Sequence, residues 1–249
     1  MNGVSPPAIA FHDVSRSFGG RAVLNNVSFQ VAPGEAFCLL GRSGMGKSVT
    51  LKLAIGLLQP DAGAIRVENN NIVGMDEDEL SRVRSRIGFL FQSAALFDSF
   101  SLHDNLAVPL KRLRREKPDE EIEAIVQKNL EDVGLGKDGG KMPAELSGGM
   151  RKRAGLARAL MLGPSILLID EPVSGLDRVT ASEIDDLLLR VRKRDNTAMV
   201  IVTHDTREAR RLGDRVGVLD NGNLIAIGGM DELEASRNAL VRALVSEGK

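Results

Sequence analysis

The chain has 249 residues, of which 43% are hydrophobic and 27% charged, a composition that excludes a disordered, collagenous or purely coiled-coil protein. Its 33 basic and 34 acidic residues leave a net charge of −1, so it has no global electrostatic grip on nucleic acid or anionic lipid. One cysteine, Cys38, excludes an intrachain disulfide and suits a reducing compartment, where it reads as a small buried hydrophobe.

In chain order, the segment Met1–Pro7 lacks a basic region followed by an apolar stretch, which predicts no signal peptide. Strand-like runs follow at Ile9–Val14 and Val27–Val31, which alternate and suit an antiparallel flank, then at Ala36–Leu40, Ala64–Val67 and Ile87–Phe91. Helical patterns occupy Val49–Leu58, Asp119–Val133, with Ile122, Ile125, Val126, Leu130 and Val133 on one stripe, and Gly148–Leu162. Ile166–Ile169, Ala198–Thr203, Val216–Asp220 and Leu224–Ile227 are further strands, with helices over Thr180–Arg194 and from Asp205, which has capping-box spacing to Glu208. Several strands are solidly apolar, as in a parallel sheet covered on both faces. None of these runs approaches the ~20 residues of a membrane helix. The strands cluster at 1–91 and 166–228, and residues from about 93 to 160 are almost wholly helical, which predicts an α/β core with an inserted helical lobe. Lys111–Lys117 and Arg190–Arg194 are basic runs, read as solvated helix ends, with an acidic headgroup or partner as the alternative for the first.

The segment Gly41, Arg42, Ser43, Gly44, Met45, Gly46, Lys47, Ser48 fits G-x-x-x-x-G-K-[ST] between an apolar strand and a helical pattern. Its glycines let backbone N–H groups cradle phosphate oxygens, and the helix start adds its dipole. Lys47 supplies a point charge between terminal phosphates, and the Ser48 hydroxyl suits Mg²⁺. The apolar strand ending in Asp170 supplies a carboxylate for the same metal, and Glu171 beside it is placed to orient an attacking water. The residues thus predict a P-loop NTPase.

Leu146-Ser-Gly-Gly-Met150, at a helix start before Asp170, resembles the signature motif of ABC-type ATPases. Gln92 resembles the family's Q-loop glutamine, Ser174-Gly-Leu-Asp177 its D-loop, His204 its switch histidine and Phe18 its adenine-stacking aromatic. The resemblance spans roughly residues 8–230. It implies a RecA-like catalytic core with an antiparallel β part, residues 1–92 and 160–249, and a helical signature subdomain, residues 93–159. It further implies that two copies pack head to tail, with ATP on Gly41–Ser48 and Val49 of one closed by Ser147, Gly148 and Gly149 of the other. Glu171 would be the general base or water positioner and His204 would contact the γ-phosphate. Asp177 would line the dimer interface, and Ser48, Asp170 and Gln92 would hold Mg²⁺. Bland alternatives stand beside these roles: Phe18 as core, Gln92 as a surface amide, His204 as a strand-end histidine, and Ser147 as a helix cap in addition.

Leu90–Phe97, Met142–Met150 and Gly175–Asp185 further resemble the ATPase subunit of MCE- or Mla-type lipid transporters, in which Met often stands where Met150 does. That resemblance implies phospholipid traffic, a membrane permease, an MCE-domain lipid-binding subunit and, in some relatives, a small cytoplasmic regulator. It places the chain peripherally on the cytoplasmic face of the inner membrane. Val49 and Arg178 depart from the commoner hydroxyl residue and proline, and the end at Lys249 predicts that any C-terminal clasp is short or missing. Other solutes remain the alternative cargo. Translation-type ABC ATPases need two ATPase domains in one chain, and the repair type needs a long coiled coil for which the stretch from Lys47 to Glu145 lacks heptads. A regulator that hardly hydrolyses fits poorly with intact Lys47, Asp170, Glu171 and His204.

Overall fold

A computed structural model describes residues 6–114 and 116–246. The readings of the N-terminal leader, of Arg115 in the basic run and of the chain's end at Lys249 fall partly or wholly outside those residues.

Strands β1 (Ile9–Phe18), β2 (Arg21–Val31), β4 (Ala62–Val67) and β5 (Asn70–Asn71) form an antiparallel sheet in the order β2-β1-β4-β5. The β1–β2 hairpin is longer than the alternating runs predict. Its tip pairs Arg16 with Leu24 and Phe18 with Arg21, and turns through Gly19 and Gly20, both at positive φ. The tip is largely exposed, so no apolar alternation marks it.

A second sheet runs β10 (Asn223–Gly228), β9 (Arg215–Asp220), β3 (Ala36–Leu40), β8 (Ala198–Thr203), β7 (Ile166–Asp170), β6 (Ile87–Leu90). All its pairings are parallel except that of β10 with β9. Phe37, Leu39, Leu168, Val200 and Val202 face the antiparallel sheet, where Phe11 and Phe29 stack at 4.7 Å and Phe29 and Phe37 at 4.9 Å. Cys38, Leu40, Leu167, Ile169, Met199 and Ile201 face a helical layer on the other side. Burial on both faces is why these strands read as unbroken apolar runs.

The helices are α1 (Lys47–Ala54), α2 (Glu77–Arg84), α3 (Leu102–Leu113), α4 (Asp119–Asp132), α5 (Gly148–Leu160), α6 (Arg178–Asp195), α7 (Thr206–Leu212), α8 (Met230–Glu234) and α9 (Ala239–Ser246). Between β6 and β7 the described residues form α3, α4, a 3-10 turn at Pro143–Glu145 and α5, with no strand. Helix α1 is displaced from the predicted Val49–Leu58. It starts at Lys47 behind Gly46, at φ 100°, and ends at Ala54 ahead of Gly56, at φ 68°. Asp205 caps α7 through Arg207 and Glu208 backbone N–H groups, but Glu208 does not complete the predicted capping box: its side chain is buried. In Arg190–Arg194, Arg192 donates to Gly34 O at 2.8 Å and pairs with Asp214, and Arg194 pairs with Asp132 at 2.6 Å. No helix among the described residues is long and apolar enough to cross a membrane.

Candidate active site

Parallel strands bring their C-terminal ends to one edge, and the loops that follow them meet there. The register sets Leu40 opposite Thr203, Asp170 opposite Val202 and Leu90 opposite Ile169. The loop Gly41–Gly46, the Asp170–Glu171 pair, His204 and Gln92 therefore gather from β3, β7, β8 and β6.

The glycine requirement of the loop after β3 is steric. A Cβ at Gly41 would lie 2.4 Å from Leu219 O, and one at Gly46 would lie 2.7 Å from Val23 O. Lys47, 6% exposed, donates from Nζ to the carbonyls of Gly41 at 2.6 Å and Arg42 at 3.1 Å, and lies 3.4 Å from Glu171 Oε1. The Ser48 hydroxyl donates to Asp170 Oδ1 at 3.0 Å. Burial pushes the Asp170 carboxyl up from its ordinary range and the Glu171 charge adds to this, while the Ser48 hydrogen bond, Lys47 and Lys52 oppose it.

Glu171 sits in the left-handed region at φ 48°, uncommon for a side chain of its size. Its N–H donates to Val202 O at 3.0 Å and its carbonyl accepts from Lys152 Nζ at 2.7 Å. Its Oε2 lies 2.5 Å from His204 Nδ1. A carboxylate held between an ammonium and an imidazole at the mouth of a phosphate loop is placed to take a proton from water.

Two adjoining clefts, of about 300 and 410 Å³, share Val23, Ser43 and Gly44. The first reaches Lys47, Ser48, Val49, Gln92 and Glu171, and the second Phe18, Met45 and Gly222. Phe18 is 43% exposed, which removes the core alternative, and the Arg16 guanidinium lies 4.7 Å from its ring centroid. Gln92 opens on the phosphate cleft rather than onto a remote surface.

Ser147, Gly148, Gly149 and Asp177 line neither cleft. Ser147 caps α5, accepting from Met150 N at 3.2 Å. Asp177 caps α6 with bonds from Val179 N and Thr180 N, both 3.0 Å, and from the Thr180 hydroxyl at 2.7 Å. That hydroxyl and the backbone donors hold its carboxyl below the usual range. The two helix starts abut: a Cβ on Gly149 would lie 2.4 Å from Thr180 Cγ2. One chain therefore carries a cleft at its G-x-x-x-x-G-K-S loop and, apart from both clefts, a glycine-rich helix start.

Among the described residues no group of three His, Cys, Asp or Glu side chains is arranged to hold an ion. Ser48, Asp170 and Gln92 offer hard oxygen donors beside a phosphate loop, which fits Mg²⁺ completed by phosphate and water oxygens.

Sequence reasoning missed three supporting residues. Lys152 holds the Glu171 carbonyl. Buried Asn105 accepts from Phe97 N at 2.7 Å and donates to Phe97 O, Phe100 O and Ser101 O. Arg158 donates to Ala95 O at 2.5 Å and Ala94 O at 3.1 Å. In sequence Lys152 sits between two arginines and Asn105 follows His103 and Asp104, so neither stands out from its polar neighbours, and Arg158 reads as an ordinary helix cation.

The fold and the cleft define a P-loop ATPase cassette. A sequence profile of the ABC transporter family matches residues 24–174. The probable ribonucleotide transport ATP-binding protein mkl of Mycobacterium leprae is 42% identical over 239 residues, covering 96% of this chain and 69% of the relative. The methionine import ATP-binding protein MetN of Caulobacter vibrioides is 39% identical, covering 90% and 68%. Among solved structures, the dimeric post-hydrolysis state of the ATP-binding cassette MJ0796 bound to ADP and Pi matches with a TM-score of 0.82 at 31% identity, over 89% of this chain and 98% of that one. The chain belongs to the ABC transporter family, and it is an ATPase. It spans about two thirds of the length of its curated relatives.

Proposed function

We propose that this ATPase energises phospholipid traffic across the cell envelope as the nucleotide-binding subunit of an MCE-type transporter. The observation that carries its mechanism is the separation of the phosphate cleft from the α5 start on one chain. Two copies arranged head to tail would use both. ATP would lie along the paired clefts, its base on Phe18, its phosphates on Gly41–Gly46, Lys47, Ser48 and Val49. Ser147, Gly148 and Gly149 of the second copy would close over the γ-phosphate with backbone N–H groups and a helix dipole. Asp177 would lie along the seam.

Mg²⁺, held by Ser48, Asp170 and Gln92, would neutralise phosphate charge. Lys47 would exchange its bonds to the Gly41 and Arg42 carbonyls for phosphate oxygens. Glu171 would accept the proton of the attacking water, and His204 would swing from Glu171 to stabilise charge at the γ-phosphate. ATP closes the dimer and hydrolysis resets it. Residues 93–159 would form the helical subdomain and residues 1–92 and 160–249 the catalytic core, within a cassette spanning 8–230. Gln92 would report nucleotide occupancy to the permease, which would hold the chain on the cytoplasmic face of the inner membrane. The lipid reading rests on the segments Leu90–Phe97, Met142–Met150 and Gly175–Asp185. It implies an MCE-domain subunit and leaves room for a small cytoplasmic regulator, with no role for nucleic acid.

A second reading has support of its own: the named relatives are a probable ribonucleotide transport protein and a methionine importer, so the cargo would be another solute. A mild-detergent pull-down of the tagged chain from native membranes, read by mass spectrometry, separates the two. A permease with an MCE-domain protein and bound phospholipid supports lipid traffic. A permease with a soluble solute-binding protein and no lipid discards it and keeps the ATPase.

A further inference from the structure

Lys152 is a charged residue that the hydrolytic machinery leaves unassigned. It lies in the second turn of α5, is 6% exposed, and spends its ammonium on the main-chain oxygen of Glu171 at 2.7 Å. Lysines are seldom buried so deeply without a specific partner. Burial pulls the ammonium's pKa down, and the carboxylates of Glu208, Asp170 and Glu171 oppose that pull, which is the balance expected of a lysine retained in place by acidic neighbours. The atom it grips belongs to a residue in a strained backbone conformation. With the Glu171 N–H on Val202 O and its carbonyl on Lys152, the peptide units flanking this residue are fixed from β8 on one side and α5 on the other.

We propose that Lys152 is a positioning residue that sets the Glu171 backbone and ties it to the helix beginning at Ser147. The inference rests on the proposed roles of Glu171 and of Ser147–Gly149. An α-helix moves as a stiff unit, and Lys152 is only one turn from the start of α5. A second copy's nucleotide engaging that start therefore displaces or steadies the ammonium that holds Glu171. A carboxylate serving as base tolerates little misplacement, because proton transfer from water requires hydrogen-bond geometry. Lys152 makes no contact with the phosphate loop, whose Lys47 and Ser48 are held by Gly41, Arg42 and Asp170, so the expected loss is in turnover and not in ATP binding.

The test uses the full-length chain with its co-purifying membrane proteins. Lys152→Met keeps length and apolar fit but leaves the Glu171 carbonyl unpaired. Its kcat is expected to fall about tenfold or more, with KM and the Kd for ATP within about twofold of wild type. Lys152→Gln retains a donor and is expected to recover at least about threefold of the lost kcat. If Lys152→Met does not fold, Lys152→Ala carries the same expectation. A kcat within about twofold of wild type, a KM that rises in step with the loss, or a Gln variant no better than Met overturns the proposal. Glu171→Gln is measured in parallel. Wild-type turnover there is a failure of the hydrolytic reading, whereas lost turnover there with normal turnover in Lys152→Met is a failure of the Lys152 inference alone.

Discussion

Phe18 in the cleft and Glu208 in α7 mark two extremes of exposure. Phe18 leaves much of its ring to solvent at the tip of a hairpin and contributes little to folding. Phe18→Ala is expected to raise the Kd for ATP several-fold while the unfolding midpoint moves little; equal affinity by calorimetry would remove the ring from the nucleotide. Glu208 is 3% exposed, its carboxyl oxygens have no hydrogen-bond partner among the described residues, and its pKa is pushed up to about 8. Burial is the main cause, the nearby Thr203 hydroxyl offsets part, and Asp185, Asp205 and Glu171 add to it. An acid raised in the folded state binds more protons there than when unfolded. Stability contributed this way is present at low pH and declines as pH rises from about 4.5 through 8. Asp185, pushed to about 6 chiefly by burial, acts in the same direction at lower pH. Glu208→Gln is therefore expected to flatten the decline between about pH 5 and 8, by on the order of a few kcal/mol. Parallel stability-against-pH curves for the two proteins would contradict it.

At the scale of elements, α5 packs closely through two of its glycines. A Cβ on Gly149 meets the Thr180 methyl at 2.4 Å, and one on Gly155 meets Ala94 Cβ at 2.8 Å. Thr180 cannot turn away cheaply because its hydroxyl is bonded to Asp177. Gly149→Ala is expected to lose about 1–3 kcal/mol despite the better helix propensity of alanine, and Gly149→Ala with Thr180→Ala to regain most of it. An unfolding midpoint unchanged by Gly149→Ala alone would show that the two helix starts are not in contact. The strands of the parallel sheet were legible because both their faces are buried, so that Ala36–Leu40 or Ala198–Thr203 is apolar throughout. Elements whose stability comes from elsewhere were not. Helix α2 carries only Leu80 and Val83 as buried residues and is organised by the Asp76–Glu79 capping box. Helix α3 lay inside the stretch read as helical but without its own bounds, because Pro109 breaks the local signal while Leu102, Leu106 and Leu110 hold the helix to the core. The phosphate loop and Asp170–Glu171 were legible because their chemistry requires contiguous residues. Lys152 and Arg158 were not, because each acts on a backbone carbonyl that only the tertiary fold brings near, and Asn105 was not, because it binds carbonyls of an irregular loop just before its own helix.

The whole molecule places β3, β8 and β7 side by side in one sheet and opens the cleft at their shared edge, while the glycine-rich start of α5 lines neither cleft. The proposed head-to-tail pair would give both features a use. Glu171 is proposed to perform the hydrolytic step within a cleft that binds ATP without it. The most direct measurement is ATP turnover by Glu171→Gln alongside retention of bound ATP. The account expects turnover to fall about a hundredfold or more with ATP still held. Turnover at the wild-type rate would contradict it.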